Sequence, residues 1–291
     1  MTGTPPETGA AEAYRAHMRA HLLQYDIAWE DKDANHERVL QRVEKAAVHP
    51  GDLVVLPEMF DTGFSMRTEI TASDPEKSVG FLKRLALERE AEVMASIALR
   101  RRDLEQPRDC VNRAFVIAPD GEIRAWCDKV HPFSYGRESE RFVGGSGVTV
   151  VPVGGGEDHF GLCPIVCYDL RFPELFRLGV DRGAELFAVI ANWPAPRTAH
   201  WRALCIARAI ENQAYVLGLN RCGSDPKLPY AGGSLIVDPR GEVLVEAADE
   251  EAVLSVDLDL PGLRAWRDEF PALRDRRSWC IGPDCAGSAD R

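Results

Sequence analysis

No stretch of this chain approaches the roughly 18 consecutive apolar residues that a membrane-spanning helix needs. The first residues carry no apolar signal-peptide core, so the cytoplasm is the expected compartment and no membrane partner is expected. Basic charge is also scarce. The net charge is −11 and no basic stripe occurs, which leaves little for a nucleic-acid backbone or an anionic lipid surface to grip. The eight cysteines (Cys110, Cys127, Cys163, Cys167, Cys205, Cys222, Cys280 and Cys285) lack the spacing of a metal site. Only Cys163/Cys167 and Cys280/Cys285 are close, and neither has CxxC spacing, which argues against zinc. Their scatter through a long, cytosolic-looking chain argues against a disulfide framework. There is no glycine-rich phosphate loop. Gly154-Gly155-Gly156 lies between two strand patterns and reads as a turn. No internal repeat of short period is visible.

What remains is an ordinary globular composition, 45% hydrophobic and 28% charged, with enough apolar material for a core. Residues 1–17 are small and polar and read as a disordered arm, and residues 281–291 as a polar tail. Between them, over 18–280, strand and helix patterns alternate without a linker, which predicts one α/β domain. Strands are expected over Ala20–Ile27, Leu53–Leu56, Val93–Leu99, Asn112–Ala118, Ile123–Cys127, Val148–Val153, Phe160–Val166, Leu186–Ala191, Tyr215–Leu219, Ser234–Val237, Glu242–Val245 and Val253–Leu258. Helices are expected over Asp33–Val48, Pro75–Ala91, from Glu174 to about Gly183, and over Thr198–Asn212. The segment from His131 to Gly145 reads as a loop.

One stretch organises the rest. Gly161-Leu162-Cys163-Pro164-Ile165-Val166 is an apolar, β-rich run, and Cys167-Tyr168-Asp169-Leu170-Arg171-Phe172-Pro173-Glu174 leads from it into a helix pattern. A cysteine at such a strand-to-helix turn is held out from the backbone, near the positive end of the helix dipole. This position favours thiolate, the reactive form. The competing reading is a buried structural cysteine. Two further reactive groups also sit where strands end: Glu58 follows Leu53-Val54-Val55-Leu56-Pro57, and Lys129 follows Ile123–Asp128. Strand ends in an α/β sheet converge on one edge, where such folds keep their sites. Taken singly, Glu58 reads as a helix cap or solvated carboxylate and Lys129 as a surface lysine.

Together, Leu56-Pro57-Glu58, Asp128-Lys129-Val130-His131 and Cys167–Glu174 resemble the three catalytic motifs of the nitrilase superfamily, in that family's order, within a resemblance running from about Ala20 to Arg277. Gln24–Asp31, Pro57–Met66, Asn192–Arg197 and Ala207–Val216 are similar to its ω-amidase branch. The resemblance implies a four-layer α-β-β-α sandwich that forms a homodimer. It also implies hydrolysis of the terminal amide of a 2-oxo dicarboxylic acid monoamide, such as 2-oxoglutaramate or 2-oxosuccinamate. In such a reaction Cys167 attacks, Glu58 is the base, and Lys129 with the Tyr168 backbone N–H holds the oxyanion, through a thioester and with no metal or other cofactor. A second carboxylate, Glu138, falls nine residues past Lys129, where the family carries another Glu. Glu140 is a rival for that place and a solvated loop charge is the plain alternative. Phe64, Phe133 and Trp193 are expected pocket walls, with core packing as the alternative. His131 reads as a wall or hydrogen-bonding residue. Arg171 and Glu174 are expected to pair beneath the turn. Arg197, with the Thr198 hydroxyl as a further donor, is the expected clamp for the substrate carboxylate, against the reading of a solvent-exposed arginine. The alternatives in function are a hydrolase of carbamoyl compounds or nitriles, or a catalytically silent binding subunit.

Overall fold

The computed structural model describes residues 17–101, 103–104, 108–154 and 159–277. The expected arm, save His17, the last residues of the expected domain with Cys280, and the expected tail with Cys285 lie outside the described residues.

The first half of the chain runs β1 (His17–Gln24), α1 (Lys32–Ala46), β2 (Leu53–Val55), α2 (Thr68–Thr71), α3 (Pro75–Arg89), β3 (Glu92–Arg100), β4 (Cys110–Ile117) and β5 (Ile123–Asp128). Both long helices have clear start signals. The Asp31 side chain caps α1 by accepting from the Ala34 N–H at 3.0 Å, and Asp74 caps α3 just before Pro75. The second half runs β6 (Val151–Val153), β7 (Phe160–Val166), α4 (Pro173–Asp181), β8 (Leu186–Ala191), α5 (Thr198–Asn212), β9 (Tyr215–Asn220), β10 (Cys222–Ser224), β11 (Pro229–Ala231), β12 (Leu235–Val237), β13 (Val243–Glu246), β14 (Ala252–Asp259) and α6 (Leu260–Glu269).

Two six-stranded sheets result, in the orders β14-β1-β2-β3-β4-β5 and β13-β12-β9-β8-β7-β6, with β10 and β11 as a separate hairpin. Each sheet has three parallel strands at its centre, β1–β3 in one and β7–β9 in the other, flanked by antiparallel partners. Side-chain alternation assigns the faces. Leu22, Leu53, Val55, Met94 and Ala114 join β7–β9 in one core between the sheets. Their strand neighbours Leu23, Val54, Val93 and Phe115 pack instead with Val39, Val43, Leu82 and Leu85 of α1 and α3. Each such fully buried Leu or Val stabilises the fold by about 1.5–3 kcal/mol. On the far side α4 and α5 cover the second sheet, with Phe176 on Phe187 at 4.8 Å between ring centroids. There α5 comes close enough that a Cβ at Gly218 would meet Cys205 Sγ at 2.9 Å. The layers are therefore α-β-β-α.

Several boundaries differ from the sequence expectation. β1 begins at His17 and ends at Gln24, because its pairing with β14 runs from His17↔Asp259 to Gln24↔Ala252. β6 is only Val151–Val153, pairing with Phe160–Leu162. The predicted terminal strand is followed by a helix, α6. Asp259 caps it by accepting from the Gly262 N–H at 2.9 Å, and Pro261 sits in the first turn, where proline is tolerated. Among the described residues no helix is long and apolar enough to cross a membrane.

The topology sets the site. β5 is antiparallel to β4, and β4 to β3, so β5 runs in the same direction as β2. The C-terminal ends of β2, β5, β7 and β8 lead directly to Glu58, Lys129, Cys167 and Asn192.

Candidate active site

Cys167 follows the last residue of β7 with φ of 49°, left-handed backbone that a side chain with a Cβ rarely adopts. It opens a single 3-10 turn, Cys167–Arg171, before α4. The turn is anchored from two sides. Asp169 accepts from the Val130 and His131 N–H groups at 3.0 and 2.8 Å, and its Oδ1 lies 2.8 Å from His131 Nδ1. Arg208 of α5 donates twice to the Leu170 carbonyl, at 3.1 and 2.9 Å. His131, stacked on Phe172 with centroids 3.6 Å apart, thus ties the lysine loop to the cysteine turn.

Glu58 is buried at the centre. Its Oε1 accepts from Lys129 Nζ at 2.9 Å and Asn112 Nδ2 at 2.8 Å, and its Oε2 from the Asn192 N–H at 2.9 Å. The same carboxylate acts on the Cys167 thiol electrostatically. Lys129, buried as well, also donates to both oxygens of Glu138, at 3.1 and 2.8 Å, and sits 5.1 Å from the centroid of Phe64. Glu138 is buried in a short 3-10 turn within the predicted loop and accepts from the Phe133 N–H. Glu140 is exposed and forms a two-point pair with Arg137 at 2.8 and 2.9 Å. Between the two rivals, Glu138 is the one beside Lys129.

Electrostatics correct one expectation. The Cys167 thiol is pushed well above its ordinary value, by burial first and then by the Glu58 carboxylate, with Lys129 pulling the other way. These surroundings favour the thiol over the thiolate. The dipole of α4 does not rescue the thiolate: α4 starts only at Pro173, and dipole effects fade within the first turn. Burial opposes the Lys129 ammonium, but Glu138 and Glu58 outweigh it and hold its pKa well above the usual lysine range. Burial raises the Glu138 carboxyl against the pull of Lys129.

A cavity of about 490 Å³ opens above Cys167, walled by Phe64, Phe133, Tyr168, Trp193 and Tyr230. The Phe133 and Tyr168 rings lie 4.9 Å apart. Trp193 does both things expected of it, since it faces the cavity and also packs on Trp201 at 5.6 Å. Arg67, Arg137, Arg171, Arg197 and Lys227 also line the cavity. Arg67 is neutralised by Glu30 and Arg137 by Glu140. Arg171 does not pair with Glu174, which is exposed; its guanidinium lies over Trp193 at 4.8 Å and its Nη2 is 3.2 Å from His200 Nδ1. Arg197 lies over Phe133 at 5.4 Å, its carbonyl accepting from Trp193 Nε1 at 2.8 Å. Thr198 is not a free donor, because its hydroxyl is given to the Ala195 carbonyl at 2.8 Å.

Sequence reasoning missed Asn112, the catalytic-edge position of Asn192, and the β10–β11 hairpin that places Lys227 and Tyr230 on the cavity wall. Asn192 had a usable signal, since it follows an apolar strand just as Glu58 and Cys167 do. Among the described residues no group of three or more His, Cys, Asp or Glu side chains could hold a metal ion.

Comparison with known proteins agrees with this geometry. Residues 19–268 match the model of the carbon-nitrogen hydrolase family. The chain is 37% identical over 260 residues to the ω-amidase YafV of Yersinia enterocolitica, covering 89% of this chain and 96% of that one. It is 33% identical over 258 residues to the 2-oxoglutaramate amidase of Bacillus subtilis, covering 88% and 96%. Among solved structures, XC1258 of Xanthomonas campestris, a CN-hydrolase superfamily protein, superimposes with a TM-score of 0.81 at 32% identity, over 91% of this chain and 99% of that one. A strand-end thiol, carboxylate and ammonium in one buried cluster, on this sandwich and with these relatives, show that the chain belongs to the carbon-nitrogen hydrolase family, on its ω-amidase-like branch.

Proposed function

We propose that this protein hydrolyses the terminal amide of 2-oxo dicarboxylic acid monoamides, 2-oxoglutaramate and 2-oxosuccinamate, to the acid and ammonia. The observation that carries the reading is the polarity of one cavity. Its floor holds the Cys167 thiol beside a carboxylate that binds a buried ammonium, and its wall holds a guanidinium, Arg197, with no carboxylate partner among the described residues. Relatives named ω-amidase and 2-oxoglutaramate amidase support the substrate class.

The chemistry runs from the thiol. Glu58 takes the Cys167 proton as Sγ attacks the amide carbon, which answers the raised thiol pKa. The carbonyl oxygen becomes an oxyanion. An ammonium has three N–H donors, and Lys129 gives them to Glu58 and to both oxygens of Glu138, so it meets the oxyanion, beside the Tyr168 N–H, by turning the donor of its longest contact, 3.1 Å to Glu138 Oε1, toward the substrate. Glu58 returns the proton to nitrogen, ammonia departs, and a thioester remains. Glu58 then activates water to release the acid. Glu138 fixes Lys129 in place throughout. At the far end of the substrate, Arg197 takes the carboxylate, whose unpaired burial would cost several kcal/mol. Phe64, Phe133 and Trp193 exclude water from the reacting centre. No cofactor enters the scheme. The working form is a homodimer, joined through the face of α4 and α5.

Ammonia release from a panel of 2-oxoglutaramate, a neutral amide of similar length, a carbamoyl compound and a nitrile tests the reading, with Cys167→Ala as the control. The oxo acid amide should be the best substrate and Cys167→Ala should be inactive yet folded. Faster turnover of the carbamoyl compound or the nitrile would move the protein to another hydrolase activity. No ammonia from any of them would mean a binding subunit.

A further inference from the structure

Asn192 is 4% exposed, lines the cavity together with Cys167, and holds Glu58 with both of its donors. Its backbone N–H reaches Glu58 Oε2 at 2.9 Å and its Nδ2 reaches the Glu58 carbonyl at 2.6 Å. The opposite half of the side chain, Oδ1, is buried and has no hydrogen-bond partner. Exchanging the amide's oxygen and nitrogen does not remedy this, because it would set an oxygen against the Glu58 carbonyl oxygen, two acceptors face to face. Among the described residues, the other buried side-chain atoms without partners belong to residues that do not line this cavity. A buried acceptor left empty costs free energy, and one on the wall of a substrate cavity is satisfied when a donor arrives there.

We infer that Asn192 Oδ1 accepts an N–H of the scissile amide and orients the leaving nitrogen, an assignment that rests on the amidase reading above. When Sγ bonds to the carbonyl carbon, the amide nitrogen becomes pyramidal and carries two N–H bonds and a lone pair. One N–H held by Oδ1 fixes how the nitrogen is turned. The lone pair is then presented to Glu58, which carries the thiol proton and whose Oε2 is fixed by Asn192's own backbone N–H. The proton moves to nitrogen, the C–N bond breaks with its electron pair going to nitrogen, and ammonia leaves as the carbonyl reforms. A leaving group without N–H, such as an ester oxygen, gains nothing from Oδ1 and meets it with a lone pair. Asn192 therefore favours amides over esters of the same acid.

The test compares kcat/KM for 2-oxoglutaramate and for the corresponding methyl ester in wild type and Asn192→Ala, with thermal melting as the check on folding. Both values fall with the loss of the Nδ2 anchor on Glu58, and the amide value should fall at least tenfold further than the ester value. Equal losses on both substrates would overturn the assignment, since they would mean that Asn192 acts only by holding Glu58. So would an unchanged amide value. If Asn192→Ala does not fold, Asn192→Ser, which also removes Oδ1, is read by the same amide-to-ester ratio. A wild-type enzyme that releases no ammonia overturns the amidase reading itself. A wild-type enzyme that does, with a variant that loses both substrates alike, overturns only the role of Asn192.

Discussion

A single buried carboxylate, Glu58, receives Lys129, Asn112 and Asn192 at once and raises the pKa of the Cys167 thiol. Removing Lys129 would leave Glu58 and Glu138 facing each other without a counter-charge, and breaking a buried ion pair costs about 3–5 kcal/mol. Arg197 gives the cleaner test at this scale because it lies on the wall rather than in the cluster. Arg197→Ala should lower kcat/KM for 2-oxoglutaramate at least tenfold, about 1.4 kcal/mol, and barely change a neutral amide of similar length. Equal losses on both would shift the carboxylate site to Arg171 or Lys227, the other cavity cations without a carboxylate partner among the described residues. Glu58, Lys129 and Cys167 were legible because each lies at or just past the end of a strand and the three fall in the order of the family's motifs. Asn112 was not, since it lies near the start of β4, an antiparallel strand that arrives at the same edge from the other end. Expecting a Cys167 thiolate from the helix dipole leaves out burial. A helix end contributes about 0.3–1 kcal/mol within its first turn, less than the cost of burying a thiolate beside a carboxylate.

Among the elements, β3 carries a measurable charge penalty at its first residue. The Glu92 side chain is 1% exposed and pairs with Arg124 at 3.1 Å, yet burial outweighs that partner and raises its pKa from 4.5 to about 7. A carboxyl whose folded pKa is raised binds its proton more tightly in the folded state. Glu92 therefore costs nothing below pH 4.5, costs progressively more from there to pH 7, and its full amount above that. Glu92→Gln removes the penalty while keeping an oxygen for Arg124. Its effect on unfolding free energy, followed by urea titration, should be more favourable at pH 8 than at pH 4 by about 3 kcal/mol. The same offset at both pH values would show that Glu92 carries no such penalty. Element boundaries were legible in proportion to apolar continuity. Phe160–Val166, Leu186–Ala191 and Thr198–Asn212 match residue for residue, since long apolar or amphipathic runs have one reading. The three-residue strands β10 and β11 carry no period to detect, and α6 was hidden by Pro261 and Gly262 in its first turn.

At the scale of the whole molecule, the layer order follows from strands that read as apolar on both faces, but what covers the outer helices does not follow from pattern. A helix face left apolar looks the same in sequence whether it meets solvent or a second copy. Here the exposed apolar side chains Leu178, Ile210 and Phe270 lie on α4, on α5 and just past the end of α6. Arg177 of α4 donates to the Glu211 carbonyl of α5 at 2.6 Å, which ties the two helices together. Gln213, just past α5, donates to the Phe270 carbonyl at 2.7 Å, so the backbone after α6 reaches the end of α5. Grouped apolar exposure of this kind marks an interface more often than single exposed residues do. The proposed dimer would cover it, and through Arg208 the covered helix would also steady the turn that carries Cys167. Ile210→Asp, which puts a charge at a position 52% exposed, should leave the monomer folded and convert the dimer to monomer in sedimentation velocity. Leu87→Asp on α3 is the matched control. Leu87 is 57% exposed but lies on the helix layer of the opposite sheet, so the dimer should survive. If Ile210→Asp remains dimeric while Leu87→Asp does not, the copies join through the other helix layer, and the nucleophile turn owes its rigidity to Arg208 and Asp169 alone.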